Sequence, residues 1–320
     1  MTANWSNTTP AELRDVFLRT GPANTRAAYR ADLGSFQAFL KSASMAAAVK
    51  AFCDMSPGEA MGMMERYKAA MRDDQYSANT VRRRIGSVLG LSAKAKSMDV
   101  IAWSIRVALP KASTTRDTSG PLVANVLDMI AHCQAREDAK GWRDAAIIAL
   151  MFYHAMRAAE VLSIDLKHFQ SGLWARVSVQ AKARWDRETV YLSMVARDAV
   201  DRWLQCRGFD PGQMFTTMNR ATRRGGAGLT YRGLYRIIRD VGAAVGIICH
   251  PHALRHAAIT EALRKTGGNI VDTMELSRHK DPRTVMEYLS RMRFTGRKVA
   301  ELIADQGPVS KRSRHGVDKA

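Results

Sequence analysis

Apolar positions recur at helical spacing through the first hundred residues. In TRAAYRADLGSFQAFLKSA, Tyr29, Leu33, Phe36 and Leu40 fall three or four apart and make one face, with Arg30 and Lys41 off it. Ser77 is a candidate cap for SANTVRRRIGSVLGL. There Val81, Ile85 and Val88 or Leu89 line one face, and Arg82, Arg83 and Arg84 sit beside it. The pattern lapses in PKASTTRDTSGP, which carries Pro110 and Pro121 and reads as a linker. Beyond it, LVANVLDMIAHC and DAAIIALMFYHAM read as helices. WARVSVQAK and ETVYLS alternate β-branched and aromatic positions around the polar ARWDR, which predicts a hairpin. Thr230 is a candidate cap for YRGLYRIIRDVGAAVG, and GGAG at Gly225–Gly228 reads as a flexible loop. The expected layout is a helical domain over 1–109, a linker over 110–121, a mainly α domain with a small antiparallel β-sheet over 122–306, and a basic, disordered tail over 307–320.

Charge adds a partner to this layout. Lys plus Arg number 49 against 30 Asp plus Glu, a formal net charge of +19 on 320 residues. Such a surplus favours a polyanion, nucleic acid first and an acidic membrane second. No run approaches the roughly 20 apolar residues of a transmembrane helix. The start, MTANWSNTTPAEL, lacks the basic and apolar regions of a signal peptide. Cys53, Cys133, Cys206 and Cys249 form no CxxC pair, so they read as free thiols in a reducing cytoplasm, with zinc not expected. No GxxxxGK[ST] loop is present, and no nucleotide or metal cofactor is expected.

The chemistry concentrates at HPHALRHAAIT, where His250, His252, Arg255 and His256 crowd one helix start. Upstream, HAMRAAEVLSIDL carries Arg157 and Glu160, and the hairpin carries Lys182. Downstream, ELSRHKDPRTVMEYLSR carries His279, Thr284 and Tyr288. Taken singly these residues have ordinary readings: salt-bridged arginines, structural histidines, a half-buried tyrosine, a solvated lysine. In this order they resemble the tyrosine recombinase (phage integrase) family. That family's pattern is an arginine in a GLRxxEL box, a hairpin lysine, an HxLRH box, then a GHxxxxTxxxY segment. Residues of about 20 to 305 take part in the resemblance, in a two-domain, Xer-like layout. Three departures stand out: Ala155 where the first box has glycine, Ser277 and Arg278 where the family has LG, and QAKARWDRETV without glycines flanking the lysine.

The resemblance implies a helical, SAM-like core-binding domain followed by a catalytic domain, clamping double-stranded DNA. It implies transesterification at a phosphodiester: a tyrosine hydroxyl attacks phosphorus, the 3′-phosphate joins the protein, and the 5′-hydroxyl leaves. Neither ATP nor a metal is needed, because the phosphotyrosine keeps the bond energy. Arg157 and Arg255 suit the charge that builds on the nonbridging oxygens, since a guanidinium donates paired hydrogen bonds and stays charged. Tyr288, with a reference pKa of about 10, needs a base or a positive field. His252 is the expected base, His279 the expected phosphate ligand, and Lys182 the expected proton donor to the leaving oxygen. Glu160 and His256 are expected to orient these groups, His250 and His154 to be structural, and Arg82, Arg83 and Arg84 to meet DNA phosphates. The resemblance further implies a homotetramer on two DNA sites, with residues 294–305 packing on a neighbouring protomer, and a cytoplasmic, nucleoid-associated location. Two other functions share parts of this pattern: type IB topoisomerase-like relaxation, and DNA binding without catalysis.

Overall fold

The computed structural model describes residues 8–111, 120–180, 187–218 and 225–291. Lys182, most of the linker, the 294–305 segment and the tail lie outside the described residues. The chain divides into two compact units, Met1–Arg116 and Asp117–Ala320.

The first unit is helical: α1 (Pro10–Arg19), α2 (Ala23–Phe39), α3 (Met45–Cys53), α4 (Pro57–Asp73) and α5 (Ala78–Ser97). Its helix starts are written into the sequence. Thr9 and Ser56 each exchange hydrogen bonds with a glutamate three residues on, and a proline opens each helix. Ser77 caps α5 by accepting from the Thr80 amide. The predicted stripes face inward: Leu33 and Phe36 of α2 and Val81, Ile85 and Val88 of α5 are buried. Phe36 packs against Phe52 and Tyr67 at centroid distances of 5.5 and 5.2 Å. Tyr29 and Leu40 are half-buried and pack against the same core, Leu40 as the C-cap of α2.

Beside this core lies Asp32, fully buried, accepting from Ser87 Oγ at 2.7 Å and from the Arg83 guanidinium. Arg82 donates to the Pro110 carbonyl at 2.7 Å, and Arg84 lies 4.2 Å from the Tyr76 ring centroid. All three arginines of this run therefore have partners within their own unit.

The second unit contains α6 (Val123–Gln134), α7 (Ala139–Tyr153), α8 (Ala158–Leu162), β1 (Phe169–Gln170), β2 (Arg176–Gln180), β3 (Arg187–Tyr191), α9 (Met194–Arg207), β4 (Thr216–Met218), β5 (Gly225–Gly228), α10 (Tyr231–Ala244), α11 (Pro251–Lys265), α12 (Ile270–Ser277) and α13 (Pro282–Arg291). Helix α7 is central, buried without a break from Gly141 to Phe152 except at Trp142, apolar from Ala145 on and carrying the buried Arg143–Asp144 pair before that, and packed by α6, α9 and α11. The predicted hairpin is present as antiparallel β2 and β3, with Gln180 opposite Arg187, and β1 adds a third strand. Thr230 caps α10 through the Gly233 amide.

The glycine run Gly225–Gly228 is a strand rather than a flexible loop: β5 pairs antiparallel with β4. A Cβ at Gly226 would stand 2.8 Å from Thr217 Oγ1 and 3.1 Å from its carbonyl oxygen, so the bare backbone is what lets these strands approach. Among the described residues no helix is long and apolar enough to cross a membrane, and no group of His, Cys, Asp or Glu is placed to hold a metal ion.

The Asp32 contact makes a prediction. Arg83→Ala leaves a buried carboxylate with Ser87 alone, whereas Arg82→Ala frees only a carbonyl. We expect Arg83→Ala to cost about 2–4 kcal/mol in chemical denaturation, and Arg82→Ala about 1. Equal midpoints for the two variants would refute this.

Candidate active site

The site begins where α7 ends. The chain leaves Tyr153 and turns through His154 and Ala155, the latter at φ 45°, in the left-handed region. An L-residue there costs about 1–2 kcal/mol, which explains why glycine would be the easier choice. The turn delivers Arg157 to the N-cap of α8. Glu160, three residues on, reaches back to accept the Arg157 amide at 2.9 Å and pairs with Nη1 of the same arginine at 2.6 Å. The arginine is aimed by a residue that also caps its helix. Its side chain is 30% exposed, while that of Glu160 is 3% exposed.

Helix α11 carries the histidine cluster. His250 is its cap, with Nδ1 accepting from the Ala253 amide at 3.2 Å, and Pro251 opens the helix. Arg255 is buried, donating through Nη1 to the Ala155 carbonyl and through Nη2 to the Ser277 carbonyl. One residue on, His256 is buried against α13, and its Nδ1 is hydrogen-bonded to the Tyr288 hydroxyl. His252, one turn earlier, is exposed, with its ring centroid 4.1 Å from that of His256.

The turn after α12 closes the site. Arg278 is the left-handed C-cap, at φ 55° and ψ 40°. Its guanidinium donates to Glu160 Oε2 at 2.7 Å and to the carbonyls of His154 and Leu276 at 3.1 and 2.9 Å. Ser277 Oγ donates to the Thr273 carbonyl at 2.6 Å and lies 2.9 Å from His279 Nδ1. His279 Nε2 lies 3.1 Å from Arg255 Nη2. These contacts select one tautomer. The guanidinium can only donate, so Nε2 accepts; the serine proton is spent on Thr273, so Nδ1–H donates to Ser277 Oγ.

Electrostatics follow from this crowding. Burial and the neighbouring guanidiniums of Arg255, Arg157 and Arg278 push His279 down to about 4, so it is neutral at physiological pH. Burial, then the charge of Arg157, lowers Arg255 to about 9, which leaves it protonated. Burial works against ionisation of Glu160, but Arg278 and the hydrogen bonds from Arg157 outweigh it and hold the carboxyl below its ordinary range. Burial, then Arg278, pushes His154 down to about 4, and its Nε2 accepts from the Ser193 amide at 3.1 Å.

Of the residues singled out in the sequence, Arg157, Glu160, Arg255 and His279 converge on one cluster, and His256 and Tyr288 join it through α11. Lys182 lies outside the described residues, and Arg82, Arg83 and Arg84 belong to the other unit. Ser277 and Arg278 were legible only as departures from the family pattern; their contacts with His279 and Glu160 come from the fold. A separate cleft of about 490 Å³ is lined by Arg136, Lys140, Arg143, Asp144, Arg236 and Asp240 among others, and by no residue of this cluster.

Comparison with known proteins agrees with the geometry. Residues 123–293 match the model of the phage integrase family. A tyrosine recombinase of Synechococcus elongatus is 31% identical over 274 residues, 83% of this chain and 84% of that protein. This chain belongs to the phage integrase family. As a tyrosine recombinase it is an enzyme that cleaves and rejoins DNA strands. A tyrosine recombinase of Synechocystis is 27% identical over 79% of this chain and 82% of its own length. The fold of the recombinase matches that of the XerH site-specific recombinase with a TM-score of 0.65 at 14% identity, over 92% of this chain and 84% of that one.

The two depressed histidines of the site, His154 and His279, set a pH dependence. The unfolded chain binds their protons from about pH 6.5 downward, and the folded recombinase only near pH 4. Stability should be full above the upper value and fall as pH drops through that window. Thermal midpoints measured across it should decline, and less steeply in His154→Gln; an unchanged slope in that variant would contradict the burial of a neutral imidazole.

Proposed function

We propose that this recombinase acts on a specific DNA site through a 3′-phosphotyrosyl intermediate formed by Tyr288. The observation that carries the reading is the arrangement on α11. One helix turns Arg255 into the Glu160 cluster and the next residue, His256, onto the Tyr288 hydroxyl. Proton acceptor and phosphate-binding charge are thereby built on consecutive residues of α11, and the nucleophile meets the first of them from α13.

In the step itself the Tyr288 oxygen forms a bond to phosphorus while the bond to the 5′-oxygen breaks. Arg157 and Arg255 take the nonbridging oxygens. Three guanidiniums, those of Arg157, Arg255 and Arg278, face one carboxylate, Glu160, which leaves two positive charges in excess for a phosphoryl group that gains charge in the transition state. His256 takes the phenolic proton, and His252, at its edge and open to solvent, passes it on. Neutral His279 accepts from Arg255 and keeps that guanidinium beside the phosphate. Lys182 protonates the leaving 5′-oxygen. Four strand cuts on two duplexes call for four protomers, so the working species is a homotetramer, joined in part by residues 294–305. The net charge of +19 supports a DNA partner, and Arg82, Arg83 and Arg84 supply phosphate contacts from the first unit while keeping their structural partners.

The experiment is capture of protein-linked DNA from cells after SDS denaturation, followed by sequencing. Wild-type protein should give adducts clustered at a few sites, and Tyr288→Phe none. Arg157→Ala and Arg255→Ala should each lower adduct formation about a hundredfold to a thousandfold. Adducts scattered without preference would refute site specificity, and adducts persisting in Tyr288→Phe would refute the nucleophile.

A further inference from the structure

Arg278 stands where the family pattern carries glycine, and its backbone adopts the left-handed conformation that glycine enters freely. A side chain is kept there although the conformation disfavours one. It is not a solvated arginine: 11% of the side chain is exposed, and it ends on Glu160 Oε2 and the His154 carbonyl. Glu160 in turn spends Oε1 on the Arg157 guanidinium and shares Oε2 between the Arg157 amide and Arg278.

We propose that Arg278 is a positioning residue for strand cleavage, holding Glu160 and, through it, the guanidinium of Arg157. The proposal rests on the reading of Arg157 as a phosphate-binding residue. Arg278 ties together three pieces of backbone: the end of α7 at His154, the start of α8 through Glu160, and the turn that carries His279. Arg255 also bridges the two turns, through the Ala155 and Ser277 carbonyls, but Arg278 is the one of the two that binds the Glu160 carboxylate, so it helps set the distance between two of the residues that must meet one phosphate.

Its charge matters as much as its reach. Glu160 is faced by Arg157 and Arg278 directly, and by Arg255 and His279 at longer range. Burial favours its neutral form, and Arg278 is the largest of the opposing influences. With glycine at this position Glu160 takes up a proton at higher pH, and a neutral carboxyl holds Arg157 less firmly. Arg278→Gly keeps the turn, because glycine suits the conformation. Arg278→Lys keeps the charge but loses the fork that reaches Glu160 and a carbonyl together.

Two measurements test this. The first needs no DNA: nitrogen-15 NMR of arginine side chains, with the Arg157 signals assigned through Arg157→Lys. In the wild type the Arg157 Nη groups should rotate slowly, and in Arg278→Gly they should average; unchanged Arg157 signals would overturn the proposal whatever the protein does to DNA. The second is the single-turnover rate of adduct formation on a nicked duplex carrying the sequence recovered from cells. Arg278→Gly should still fold, with a lower denaturation midpoint, bind this DNA, cleave about tenfold to a hundredfold more slowly, and show its acid limb at higher pH. Arg278→Lys should recover part of the rate. In an Arg157→Ala background the same substitution should cost clearly less than it does in the wild-type background. Equal losses in both backgrounds, or a wild-type rate for Arg278→Gly at every pH, would overturn the proposal. Failure of the wild type to form any adduct would count against the reading of Tyr288 instead, leaving the NMR result to decide on Arg278.

Discussion

The buried carboxylate of Glu160 is the constraint on which the rest of the site depends. Its side chain is 3% exposed and would be costly as an isolated charge. It is stable there because Arg157 and Arg278 close on it from two sides. The same pairing prevents those arginines from neutralising themselves elsewhere and fixes where their charge points. One acid thus organises a field whose sum stays positive, which a phosphodiester approaching a more highly charged transition state requires.

This organisation strains the backbone at two places. Ala155 and Arg278 both sit at positive φ, at φ 45° and 55°, and both face the same cluster. Ala155 contributes its carbonyl, which accepts from the buried Arg255. Arg278 contributes its side chain. Strain at such positions persists only when the surroundings over-determine it, and here each strained residue is held by the ions it helps to hold. Smaller residues would relieve the turns, but glycine at 278 would take with it the link between α8 and the His279 turn.

The proposed proton path has a different character. Tyr288 is 8% exposed and its hydroxyl meets His256 rather than bulk water. In the proposed reaction a buried nucleophile with an internal partner is kept from idle reaction until a phosphate reaches the arginine cluster. His252 lies at the surface of the same helix, within ring contact of His256, so the two imidazoles connect the buried phenol to the protein surface. His279 takes no part in proton transfer in this arrangement, since its Nε2 lone pair is committed to Arg255 and its Nδ1 proton to Ser277.

Much of the fold was legible because its signals are local. Apolar spacing predicts α2 and α5, Ser77 and Thr230 mark the starts of α5 and α10, and β-branched alternation predicts β2 and β3. Each depends on residues within one or two turns of one another. The members of the site were legible from the order of Arg157, Arg255, His279 and Tyr288 along the chain. The GGAG strand escaped because glycine carries no periodic signal, and its pairing depends on β4, outside the run itself. Tertiary structure alone decided the wiring: that His256 meets the Tyr288 hydroxyl, that Ser277 sets the tautomer of His279, and that Arg278 reaches Glu160, 118 residues earlier in the chain. The physical reason is range. Helix caps and apolar faces are settled by neighbours in sequence, whereas the direction of a guanidinium and the proton on an imidazole are settled by whichever distant groups the fold packs against them.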